Sequence, residues 1–138
     1  MSLTDGDILG AMFRHVTLGQ SMAQVGLTLG CSRSAVAGII KRMRDAAPQV
    51  EAARLTDSQV KTILDRHFFG HTSAEVIAKD FAKRIPSGFN RQAVLYLIWW
   101  VMNDLHAAGP DQVMNPANSE VIDWPHWWRR AQANEVAA

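Results

Sequence analysis

Apolar residues recur along this chain at spacings of three and four, and no stretch alternates cleanly between apolar and polar over five or more residues. Val, Ile and Thr are scattered rather than clustered, so the pattern predicts an all-α fold. Each predicted helix follows a residue whose side-chain oxygen can serve the unpaired N–H groups of a first turn. Thr4 or Asp5 opens a helix to about Val16, with Ile8, Leu9 and Met12 on one face. Ser21 opens a short helix to Leu29, and Ser32 opens one from Arg33 to about Ala46, where Val36, Ile39, Ile40 and Met43 form the apolar stripe. Thr56 starts a helix to about Phe68, Thr72 or Ser73 one to about Arg84, and Asn90 one from Arg91 to about Ala107.

Breakers divide these helices into units. Pro48 closes the first, Gly109-Pro110 closes the second, and Asn115-Pro116 and Pro125 prevent a single long helix beyond them. The reading is two tandem three-helix units, 1–48 and 53–109, followed by an irregular aromatic C-terminal tail, 110–138. The units resemble each other. Leu3-Thr4-Asp5 recurs as Leu55-Thr56-Asp57, and at the same offset Ile8 meets Val60, His15 meets His67, Ser21 meets Ser73 and Val25 meets Ile77. After a six-residue insertion, Ala82–Ser87, Arg33 meets Arg91, Ala35 meets Ala93, Val36 meets Val94 and Ile39 meets Leu97.

Length and composition narrow the function classes. The 138 residues make one ordinary domain or two small ones, and 48% hydrophobic content suits a globular chain. The longest apolar run, Ala93–Met102, spans ten residues, against the roughly 20 of a membrane-crossing helix. No membrane partner is expected. The start, Met1–Asp7, has neither a basic region nor an apolar stretch, so no secretory signal is expected. Cys31 is the single cysteine, which excludes an internal disulfide and fits a reducing, cytoplasmic setting. The net charge is only +1, but Arg33, Lys41, Arg42 and Arg44 share a 12-residue span free of acids.

That basic span lies in a helix-turn-helix pattern. Counting from Met22, Val25 is the apolar fourth position, Gly26 the small fifth, Leu29 the apolar eighth and Gly30 the turn glycine. Cys31, Val36 and Ile39 then fill the remaining apolar positions. The outward face of the third helix carries Ser32, Arg33, Ser34, Ala37, Gly38, Lys41, Arg42 and Arg44. Arg33 suits guanine O6 and N7, and the two serines suit bases or phosphates. Ala37 and Gly38 permit close approach, while Lys41, Arg42 and Arg44 suit phosphates. Double-stranded DNA is the expected partner, read in the major groove.

The second unit departs from this scheme. Its third helix begins Asn90-Arg91-Gln92, a secondary candidate DNA contact, and continues as an almost wholly apolar run through Trp99 and Trp100. Such a helix belongs in a core or an oligomer interface. Trp124, Trp127 and Trp128 crowd the tail. They either fold back on the Trp99/Trp100 face or dock RNA polymerase or another protein. Catalysis finds little support: His67 and His71 are four apart without the adjoining Glu of a zinc-protease helix, and no Walker loop or dinucleotide fingerprint is present. The expectation is a non-enzyme with no cofactor and no metal.

Residues Leu3–Ala46 resemble the N-terminal DNA-binding region of GcrA-like cell-cycle regulators and related phage regulators. The resemblance is carried by Thr4-Asp5 and by Ser21 through Arg42, above all Ser32-Arg33-Ser34-Ala35-Val36-Ala37-Gly38. It implies that Arg33, Ser34 and Gly38 lie at or near DNA. The expected function is sequence-specific DNA binding by a phage-type transcriptional regulator, acting as a homodimer because one short helix contacts few base pairs. Two alternatives stand beside it: a phage small terminase subunit forming a ring, and a protein-interaction adaptor built on the Trp-rich half.

Overall fold

The structure, a computed structural model, describes residues 3–85, 88–108, 113–118 and 120–122. It is all-α: α1 (Asp5–Met12), α2 (Met22–Leu29), α3 (Arg33–Asp45), α4 (Ala47–Ala53), α5 (Asp57–Phe68), α6 (Ala74–Ala82) and α7 (Arg91–Ala108). A π-helical turn, Phe13–Thr17, extends α1. No helix among the described residues is long and apolar enough to cross a membrane.

The anticipated caps form the helix starts. Thr4 and Thr56 each close a reciprocal capping box, with Asp7 and Gln59 returning the hydrogen bond. Ser21, Ser32 and Ser73 accept from the third backbone N–H of α2, α3 and α6, and Asn90 Oδ1 accepts from Ala93 N at 3.0 Å. Pro48 does not end helical structure, however. It lies in the first turn of α4, where a missing N–H costs nothing and a fixed φ favours the helix.

α7 is the hub. It packs against α1, the π turn, α3, α4 and α6, and Ala93, Val94, Leu95, Leu97 and Ile98 have no solvent exposure. A helix apolar nearly all round is stable only when neighbours surround it. Each large aliphatic side chain buried here contributes about 1.5–3 kcal/mol. The buried residues of α1, α3, α5, α6 and α7 form one continuous cluster.

The segment after α7 folds back on it. Met114 and Val121 pair in an antiparallel bridge, and Val113 and Ile122 are fully buried. Asn115, the one buried polar residue of the described core, donates through Nδ2 to Leu55 O (2.8 Å) and Asp57 Oδ1 (2.9 Å). Its Oδ1 accepts from Ala117 N. Trp100 Nε1 donates to Met114 O, and Asp104 accepts from Met114 N. Burial pushes the Asp104 carboxyl above its ordinary range, against the pull of that hydrogen bond.

Candidate nucleic-acid interface

The turn between α2 and α3 is short because two glycines permit it. Gly30 takes the left-handed conformation, φ 72° and ψ 33°, which favours glycine. A Cβ on Gly26 would stand 2.6 Å from Cys31 O, so only glycine lets α3 leave α2 this closely. Cys31 N and Gly30 N both donate to Gly26 O. Val25 and Val36 meet in the core with no exposure. The result is a helix pair joined by three residues, with the start of α3 open to solvent.

α3 has two faces. Val36, Ile39, Ile40 and Met43 are buried. Ser32, Arg33, Ser34, Lys41, Arg42 and Arg44 are exposed, and Ala37 and Gly38 lie between them, half-buried. Gly38 leaves room for the Arg42 guanidinium, whose Nη1 would lie 3.3 Å from a Cβ there. The three salt bridges among the described residues, Arg66–Asp80, Lys79–Glu75 and Arg91–Asp5, leave Arg33, Lys41, Arg42 and Arg44 without an acidic partner. Ser32 Oγ accepts from Ala35 N, which commits a lone pair and leaves its O–H to donate. Arg44 lies in the electrostatic reach of Tyr96, whose phenol is pushed up by burial and by Glu51, with Arg44 opposing.

The secondary candidates divide. Asn90 and Gln92 join Arg42, Asp45 and Gln49 around a cleft of about 330 Å³, and Asn90 N reaches Gln49 Oε1 at 3.4 Å. The structure thus brings Arg42 together with Asn90 and Gln92, which the sequence places about 50 positions apart. Arg91 turns elsewhere. Its Nε and Nη2 both donate to Asp5 Oδ1, at 3.0 and 2.8 Å, and Nη2 also reaches Leu3 O. Asp5 Oδ2 accepts from Ala74 N at the start of α6. One carboxylate therefore ties the starts of α1, α6 and α7 together.

The candidate aromatic interface is also divided. Trp99 is 7% exposed and donates to Thr17 Oγ1, which in turn donates to Asn103 Oδ1. Trp100 is half-buried beneath Met114. Trp124, Trp127 and Trp128 lie outside the described residues.

Another cleft, about 850 Å³, is polar and is lined by Asp5, His67, His71, Thr72, Glu75 and Arg91, among others. Burial lowers the His67 imidazole below its ordinary value, Asp5 opposes this and His71 adds to it. No group of three potential metal ligands occurs among the described residues. Sequence reasoning did not single out Gln49 or Lys79. Neither carries a local signal, since each matters only through the cleft walls it shares with the start of α7.

Comparison with protein-family models, with curated proteins and with solved structures finds no match to this chain.

Proposed function

We propose that this chain is a sequence-specific double-stranded DNA-binding protein, a transcriptional regulator of phage or prophage type, that places α3 in the major groove. One observation carries the reading. α3 is anchored by four buried apolar side chains, and its opposite face presents cations that no acid among the described residues pairs with. Small residues separate the Arg33 end of that face from the Lys41–Arg44 end. Arg33 and Ser34 meet base edges at the helix start, Ala37 and Gly38 admit the groove floor, and Lys41, Arg42 and Arg44 meet phosphates.

In this reading α1–α3 and α5–α7 are tandem helix-turn-helix-like units, the second having turned its third helix into core. The resemblance of residues 3–46 to GcrA-like regulators supports the same assignment. A homodimer would set two α3 helices about 34 Å apart, one turn of duplex.

The test is selection from a random duplex pool, followed by binding at several salt concentrations. The expected result is an enriched motif and a steep salt dependence. Arg33→Ala should relax preference at one base position by about 1–3 kcal/mol. Binding without enrichment would move the assignment toward DNA packaging, and no binding at low salt would overturn it.

A further inference from the structure

Ser34, Gly38 and Arg42 follow one another at four-residue spacing on the side of α3 away from its buried stripe, so each stands about one turn beyond the last. Place in the chain groups Arg42 with Lys41 and Arg44, at the phosphate end of the helix. The end of its side chain lies elsewhere. A Cβ on Gly38 would stand 3.3 Å from Arg42 Nη1 and 3.8 Å from both Cζ and Nη2. The guanidinium therefore lies over Gly38, whose backbone is about 6 Å nearer the start of the helix than that of Arg42.

The direction has a general cause. Long side chains on a helix lean toward its N-terminus and cover the turn before their own. Arg14 does the same over Gly10, with Nη1 2.6 Å from where a Cβ would stand. The closeness of the approach depends on glycine. Aligned from Arg33 and Arg91, Gly38 and Arg42 meet Tyr96 and Trp100 of α7, where ring leans toward ring with centroids 6.4 Å apart. In α3 the guanidinium settles instead against the helix backbone. Asp45 shares a cleft with Arg42, but no ion pair among the described residues draws Arg42 away.

This changes what Arg42 can touch. Ala37 and Gly38 are the small residues through which α3 approaches the groove floor, and a guanidinium lying there faces base edges. Its planar fork matches guanine O6 and N7, which an ammonium cannot grip in the same way.

We propose that Arg42 reads a base edge, with Gly38 as the positioning residue that seats its guanidinium over the middle of α3. The proposal rests on the reading of α3 as the groove-reading helix. It gives that helix two base-reading arginines, Arg33 at its start and Arg42 reaching back to its centre.

The experiment repeats the duplex selection and the salt series for the wild type, Arg33→Ala, Arg42→Lys, Gly38→Ala and Lys41→Gln, with a melting midpoint for each. Arg42→Lys keeps the charge and loses the fork. It is expected to relax preference at one base position by about tenfold, at a position other than the one Arg33→Ala relaxes, and to keep the wild-type salt slope. Gly38→Ala fills the seat and is expected to relax the same position as Arg42→Lys. Its midpoint should be equal or higher, because alanine suits a helix and the atoms displaced end a flexible side chain. Lys41→Gln should weaken all sequences alike and reduce the slope by about 1. An unchanged motif in Arg42→Lys would overturn the base contact, and a position still relaxed by Arg33→Ala would leave the role of α3 standing. A relaxed motif in Arg42→Lys beside a wild-type motif in Gly38→Ala would overturn the part given to Gly38. No enriched motif for the wild type would overturn both the proposal and the reading beneath it.

Discussion

The α2–α3 pair and the α6–α7 pair begin alike and end as opposites. Ser21 and Ser73 cap their helices with nearly the same backbone, φ −65° with ψ 153° and 150°. Val25 and Ile77 occupy the same place in each and are fully buried. The turns then diverge. Gly26 allows a three-residue turn, whereas its counterpart is Ala78, and α7 follows only after eight residues. Aligned from Arg33 and Arg91, the outward residues Ala37, Lys41, Arg42 and Arg44 of α3 are replaced by Leu95, Trp99, Trp100 and Met102 in α7. Local signals set up equivalent helices. The composition of one face then decides whether a helix looks to solvent or becomes the centre of the core.

Placing the same charge at matched positions separates the two faces most sharply. Leu95→Lys puts an ammonium where there is no solvent access, and is expected to cost about 4–5 kcal/mol or to abolish folding. Ala37→Lys, half-exposed, should change stability by less than about 1 kcal/mol. Equal losses in denaturant titrations would remove the distinction.

The turn comes next. Alanine ordinarily gains about 1 kcal/mol over glycine inside a helix. At Gly26 the sign should reverse, with a loss of about 2–3 kcal/mol from overpacking against the Cys31 carbonyl. Ala78→Gly should cost roughly 1 kcal/mol. Urea midpoints for the two variants check both values, and a stabilised Gly26→Ala would contradict the close approach.

The two repeat-matched arginines should differ by less. Arg91→Ala takes both guanidinium donors from Asp5 Oδ1, on a carboxylate whose side chain is 18% exposed, and should cost about 1–2 kcal/mol. Arg33 is exposed and forms no ion pair among the described residues, so Arg33→Ala should stay within about 0.5 kcal/mol. Its effect should appear in DNA binding instead.

The smallest effect concerns the histidines. Burial depresses the His67 imidazole below its ordinary 6.5, so the unfolded chain binds the proton more readily. Stability is full above that pH and declines as pH falls from it toward the folded value. His67→Gln should flatten this part of the stability profile, and an unchanged profile would assign the dependence to another group.

Helix starts were legible because capping is local: Thr4, Ser21, Ser32, Thr56, Ser73 and Asn90 each act within three residues of themselves. The buried and open faces of α3 were equally legible from spacing. Other features depend on distant partners. Asn115 reads as the first half of an Asn-Pro breaker, yet its amide is held by Leu55 and Asp57, 58 to 60 positions away. Arg91 reads as the twin of Arg33 until Asp5, 86 positions earlier, takes it. Pro48 was misleading for a different reason, since the same ring that ends one helix suits the first turn of the next.

The central claim is that α3, and not its twin α7, meets DNA along its length. Amide chemical-shift mapping during titration with the selected duplex tests this most directly. The expected outcome is strong perturbation from Ser32 to Arg44, with the buried turn Leu95–Trp99 unmoved. Perturbation centred on α7, or an undisturbed α3, would contradict the account.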